Sequence, residues 1–229
     1  MSDPSLVKIG FPGFPPAAQR FLADLRDHND RDWFNANKTT YETAIKAPAE
    51  ALLAHLEPEL AALAGGPVSG KIFRIHRDVR FAKDKRPYNA HLHIAFPAAH
   101  GRSSGVIACG YFFGLEPEKA ILGAGGFDFA GPVLDAYRAA VADPKTGAAL
   151  QSVLDKLTKA GFRIEGAELK RVPAPYPADH PRADLIRRKG LHVWRDIEDP
   201  AVIAGPRLFA KAQATFAILA PLVKWLSAL

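Results

Sequence analysis

Between Lys71 and His91 the chain carries seven basic residues, Lys71, Arg74, Arg77, Arg80, Lys83, Lys85 and Arg86, against two acidic ones, Asp78 and Asp84. That local excess of +5 (7 − 2) nearly equals the net +6 of the whole 229-residue chain. Guanidinium groups match the fork geometry of phosphate and carboxylate oxygens and keep their proton wherever they sit. On an alternating strand from Ile72 to Phe81, Arg77 falls on the apolar side between Ile75 and Val79, where it must meet a carboxylate or a bound anion. An internal ion pair could come from Asp78, Asp84 or the acidic residues Asp24, Asp27, Asp30 and Asp32. Two local carboxylates do not balance seven cations, however. The block is therefore expected to hold a phosphate-bearing or otherwise anionic small molecule through Arg74, Arg77, Arg80, Lys83, Lys85 and Tyr88.

His91 and His93 lie two apart on an expected strand and share a face, as a pair of metal ligands would. No third ligand accompanies them, so polar-face histidines are preferred, and neither a metal nor a cofactor is called for. If the protein is an enzyme, His91 or His93 is the proton carrier nearest neutral pH, with Asp78 or Asp84 to orient it and the arginines to stabilise developing charge. Whether it is an enzyme stays open, and phosphoryl chemistry is the most natural form, since arginines assist it directly. Gly123-Ala-Gly125-Gly126 resembles a phosphate-cradling turn, but a tight strand-to-helix connection explains it better. Cys109 sits in an apolar run with no basic neighbour and reads as a buried thiol.

A second basic cluster, Arg182, Arg187, Arg188, Lys189 and Arg195, lies near the Pro-rich segment Val172 to Pro181. His192, Trp194 and Arg195 interleave there in a way that nucleic-acid binders use, while core membership is the safer reading of Trp194. With a pI near 9.5, a nucleic-acid-binding module is the first alternative. The second is a protein that acts through partner contacts, its Arg/Asp block being scaffold.

Composition bounds these readings. With 48% hydrophobic and 24% charged residues and one cysteine, the chain reads as an ordinary globular protein without a disulfide framework. Its longest apolar stretches, Val106 to Leu115 and Ala212 to Val223, are shorter than the roughly 20 residues that span a bilayer. Met1 to Lys8 shows no signal-peptide pattern. The expectation is a cytoplasmic protein away from the membrane, its oligomeric state left undetermined.

The elements that must position the block follow from periodicity. Phe14, Ala18, Phe21, Leu22 and Leu25 fall at helical spacing, and Asn29-Asp30 caps a second helix carrying Trp33, Phe34, Tyr41 and Ile45. Leu52, Leu53, Leu56, Leu60 and Leu63 form the stripe of another, which Pro58 should kink or interrupt and Gly65-Gly66-Pro67 should end. Strands are expected over Ile72–Phe81, His91–Phe96, Val106–Leu115, Lys119–Leu122, Phe162–Glu165 and Leu191–Ile197. Helices are expected over Val133–Ala142, Ala148–Ala160 and from Pro206 onward, the last presenting Leu208, Phe209, Ala212, Phe216, Leu219, Val223 and Leu226. The fold class is α+β: an antiparallel or mixed sheet flanked by helices, with a helical N-terminal segment and a C-terminal helix, in a single domain over residues 1–229.

Arg74-Ile75-His76-Arg77-Asp78-Val79-Arg80-Phe81, Lys83-Asp84-Lys85 and Pro87-Tyr88 bring a family to view. So do Phe21-Leu22, Asn29 to Phe34, Asn37-Lys38, Gly123-Ala-Gly125-Gly126, Leu169 to Pro173 and His180-Pro181. Together these segments resemble the domain of unknown function 2461, over about residues 14–226. Because that family is functionally uncharacterised, the resemblance implies a single-domain extent and adds no reaction and no catalytic residues. The chain departs from it at Phe127-Asp128-Phe129, where a tyrosine or methionine and a proline would be expected.

Overall fold

The structure, a computed structural model, describes residues 10–98, 109–166 and 168–229. Helix α1 (Pro16–Asp27) starts on a proline, whose missing N–H costs nothing in a first turn. It buries Ala18, Phe21, Leu22 and Leu25, the residues its spacing predicts. Asp30 caps α2 (Arg31–Ala36) by accepting from the Trp33 amide at 2.9 Å. After α3 (Lys38–Thr40) a π-helical stretch, Tyr41–Lys46, leads straight into α4 (Ala47–Ala64). Of the kink or interruption expected at Pro58, the interruption does not occur: α4 runs through it. An interior proline costs about 3 kcal/mol. Burial of Leu52, Leu56 and Leu60, each worth about 1.5–3 kcal/mol, outweighs that. Gly65, left-handed at φ 76°, ends the helix as predicted.

The sheet has six strands: β1 (Lys71–Ile72), β2 (Leu92–Pro97), β3 (Cys109–Leu115), β4 (Ala120–Gly126), β5 (Arg163–Glu165) and β6 (Leu191–Ile197). They lie in the order β1-β2-β3-β4-β6-β5 and pair antiparallel throughout. Between β4 and β5 come α5 (Gly131–Ala142) and α6 (Pro144–Lys159), the latter capped by Asp143 on the Thr146 amide at 2.7 Å. The short helices α7 (Ala183–Ile186) and α8 (Pro200–Ile203) precede the long C-terminal α9 (Arg207–Ser227). Helix α9 packs on β3, β4 and α4, and α4 on β1 and β2. Toward these helices the strands turn Ile94, Phe96, Tyr111, Phe113, Leu122 and Val193, all buried. Leu208, Ala212, Phe216, Leu219, Val223 and Leu226 of α9 meet them, so its amphipathic stripe is the one legible in the sequence; Phe209 is only partly buried.

Two further expectations are corrected. No strand spans Ile72–Phe81: β1 ends at Ile72, and only the Phe73 amide, donating to the His93 carbonyl at 2.9 Å, continues its ladder. The chain then leaves β2 and forms a narrow hairpin of its own. In it the Arg77 amide donates to the Pro87 carbonyl at 2.8 Å, and the Asn89 amide to the Ile75 carbonyl at 2.7 Å. Residues 78–86 close that hairpin, so alternation there does not sort side chains into core and solvent. Ile75 is buried, whereas Phe81 is 95% exposed. Second, Gly123 to Gly126 make no strand-to-helix turn; they lie inside β4, paired to β3 on one side and β6 on the other. Residues 106–108 of the run expected to form a strand, and the N-terminal residues 1–8, lie outside the described residues.

Candidate functional site: the aromatic face of the sheet

Alternation gives the sheet a second face, turned away from α4 and α9. Across it the register aligns Ala95, Phe112, Gly123 and Trp194 in one row, and Pro97, Gly110, Gly125 and His192 in the next. A Cβ on Gly123 would fall inside the Trp194 indole, so only glycine lets that ring lie directly on β4. Gly125, at φ 141°, takes a backbone conformation that other residues rarely adopt. With Gly110 it leaves the neighbouring floor without side chains.

Rings wall this floor. His91 and His93 stack with centroids 3.8 Å apart, and Phe112 meets His93 edge-on at 4.9 Å. Trp194 meets Phe112 edge-on at 5.2 Å, and Phe127 stacks on His192 at 4.8 Å. Phe73 and Phe127 remain 47% and 54% exposed. Three adjoining concavities form one trough along this strip. The central one, about 320 Å³, is bounded by Phe73, His93, Gly110, Phe112, Gly125, Phe127 and Trp194. Toward the β1 edge it opens into about 380 Å³ between Arg74, Arg77, Asp78 and His91. Toward β5 it opens into about 460 Å³ beside Glu116, Arg163, Glu165 and His192. Each volume falls within the range of small-molecule sites.

Burial keeps the histidines of the trough neutral. It pushes His93 down to about 4, with the neighbouring His91 adding to the effect. His91 is lowered by burial and then by the Arg77 guanidinium. His192 is lowered by burial, opposed by Glu165 and reinforced by Arg188. The Trp194 indole N–H donates to His192 Nδ1 at 2.8 Å. An indole nitrogen only donates, so that Nδ1 carries a lone pair and the proton of the neutral ring sits on Nε2.

The basic block is largely paired within itself. Asp84 binds Arg77 and Arg86, each at 2.8 Å, and Asp78 binds Arg80 at 2.6 Å. Hydrogen bonds from Arg86, then Arg77, hold the Asp84 carboxyl well below the usual carboxylate range. Lys85 donates to the Val79 carbonyl at 3.1 Å. No ion pair of Arg74 or Lys83 forms among the described residues. Tyr88 is 5% exposed and stacks on Phe34 at 4.2 Å, its backbone clasped from both sides by the Asn29 side chain. Of the residues singled out in the sequence, Arg74, Arg77, Asp78, His91 and His93 thus come together at one end of the trough. Arg80, Lys83, Asp84 and Lys85 stay on the hairpin outside it, and Tyr88 belongs to the core. Neither aspartate hydrogen-bonds to a histidine among the described residues.

The second basic cluster sits at the opposite, β6–β5 side of the sheet, so the two do not merge. Arg182 donates to the carbonyls of Val141 and Ala142 and closes the end of α5. Arg187 and Arg188 share Glu168, and Arg195 lies over the Phe162 ring at 3.8 Å. Cys109 is buried, its thiol pushed up by burial. Among the described residues no three His, Cys, Asp or Glu side chains group as metal ligands, and no helix is long and apolar enough to cross a membrane.

A family of conserved hypothetical proteins, DUF2461, matches residues 17–225. The chain belongs to the DUF2461 family. No curated protein sequence matches it. In this DUF2461 protein the family-like hairpin forms one rim of the trough and the family-like Gly123 to Gly126 stretch supplies part of its floor, whereas Phe112, His192 and Trp194 lie outside the family-like segments. In the sequence Phe112 and Phe127 carry no site role; His192 and Trp194 stand out there only for their interleaving with Arg195, and Trp194, read by preference as core, lies half-buried on the open face. One signal was legible. In Cys109–Leu115 and Leu191–Ile197 strict alternation assigns Phe112, His192 and Trp194 to the side opposite Tyr111, Phe113, Leu115, Leu191 and Val193, which are buried.

Proposed function

We propose that this DUF2461 protein binds a small organic anion along the open face of its sheet. The anionic group, a phosphate ester or carboxylate, sits at Arg74 and Arg77, and the apolar body of the ligand lies against Phe112, Phe127 and Trp194. The observation that carries the reading is continuity: one trough runs from those guanidinium groups over neutral His91 and His93 to a glycine floor walled by rings. Arg77 already shares Asp84 with Arg86, which leaves its remaining N–H groups for a ligand. The same rings would also stack on the bases of a nucleic acid. Charge favours the small molecule: cations cluster at one end, whereas at the other Glu116 and Glu165 take up Lys119 and Arg163, which leaves a polyanion little net attraction there.

The test is a thermal-shift series with inorganic phosphate, phenyl phosphate, benzoate and a single-stranded tetranucleotide at two salt concentrations. A ligand at a hundred times its Kd stabilises by about 2.7 kcal/mol. For a chain this size that is a rise of roughly 5–10 °C in Tm. Phenyl phosphate should act more strongly than inorganic phosphate, and Phe112→Ala or Arg77→Ala should abolish the difference while Arg80→Ala leaves it. A steeply salt-dependent shift from the oligonucleotide alone would transfer the function to nucleic acid.

A further inference from the structure

His192 has a feature that general anion binding does not use. Its Nδ1 is occupied by the Trp194 indole N–H, and its Nε2–H finds no partner among the described residues. The ring is clamped as well: Phe127 stacks on it and Trp194 flanks it at 5.3 Å. Its cross-strand neighbour is Glu165, and it lines the trough beyond Phe112 and Trp194. A polar N–H fixed in direction and tautomer in the concavity that adjoins the apolar, ring-walled slot discriminates strongly, because a ligand that reaches it without an acceptor leaves it unsatisfied.

Resting on the small-anion reading above, we infer that His192 Nε2–H donates a hydrogen bond to an acceptor on the planar part of the ligand. The trough thereby selects heteroaromatic phosphates of the nucleoside monophosphate class over simple aryl phosphates and sugar phosphates. The phosphate lies at the Arg74 and Arg77 end, and the heterocycle enters the glycine-floored slot beside Phe112 and Trp194. A slot walled by Phe73 on one side and by Phe127 and Trp194 on the other suits a flat ring better than a branched aliphatic body.

Two measurements on the full chain test this. Long-range 1H–15N correlation of the free protein should show His192 as the Nε2–H tautomer, and Trp194→Phe should turn it into a mixture. A wild-type ring protonated on Nδ1 overturns the assignment without reference to any ligand. Titration with adenosine 5′-monophosphate, phenyl phosphate and ribose 5-phosphate should then give the nucleotide at least a tenfold preference. That preference should vanish in His192→Phe and return in part in His192→Gln, whose amide can donate. Equal binding of adenosine monophosphate and phenyl phosphate, or a preference unchanged in His192→Phe, overturns the role of His192 and leaves the small-anion reading standing. Binding of none of the three overturns both. A 5′-phosphorylated tetranucleotide binding more than tenfold tighter than the mononucleotide would make the ligand the end of a nucleic acid and overturn the commitment to a small molecule.

Discussion

Lowering the pH should destabilise this protein through His93. In the folded chain burial, reinforced by His91, brings His93 from 6.5 to about 4, whereas in the unfolded chain it titrates near 6.5. Between those values the unfolded state binds a proton that the folded state does not, so stability falls as pH drops. The contribution is fully present above about 6.5, is lost progressively below it, and changes no further below about 4. At about 1.4 kcal/mol per pH unit the complete loss is about 3 kcal/mol, of which about 2 kcal/mol is gone by pH 5. His93 keeps some contact with water, which makes these figures upper limits. His91 and His192 are lowered as well and act in the same direction. The assay is urea unfolding at pH 7.5 and pH 5.0 for the wild type and for His93→Gln, which keeps a polar group but cannot titrate. The variant should lose about 1–2 kcal/mol less than the wild type between the two pH values. Equal losses, or an NMR titration placing His93 near 6.5, would refute the picture of a neutral imidazole held against Phe112 in an apolar trough.

Three further outcomes follow from particular contacts. Asp84→Asn removes the carboxylate shared by Arg77 and Arg86; the amides of Arg77 and Asn89, which hold the hairpin together, should exchange hydrogen faster, and an unchanged rate would mean the ion pairs do not organise the loop. Gly123→Ala puts a methyl group where the Trp194 indole lies, so Tm should fall and Trp194 fluorescence shift toward that of an exposed indole. Phe216→Ala empties a fully buried site between α9 and the sheet; chemical denaturation should register a loss of about 3–5 kcal/mol, with the aromatic face unaffected.

Much of this architecture was legible because it is local. Helix periodicity, the Asp30 cap, the Gly65 stop and the alternation in Leu92–Pro97 and Leu191–Ile197 depend on residues within a turn or two of one another. The charge of the 71–91 block was equally visible, as was the option that its arginines meet its own aspartates. The misreadings fall where a distant partner decides. Ile72–Phe81 alternates as a strand should, yet a strand exists only where a neighbour supplies hydrogen bonds, and after Phe73 the chain pairs with Pro87–Asn89 instead of β2. Gly123 to Gly126 have the composition of a turn, but flanking strands on both sides hold them extended. The sequence by itself thus determined the main helices and most of the strands, the stripe that α9 buries and the place where positive charge gathers. Tertiary structure alone decided which face of the sheet stays open and which rings meet on it. His93, Phe112, Phe127 and Trp194 come from separate stretches of chain, and the antiparallel register brings their rings into contact across the sheet.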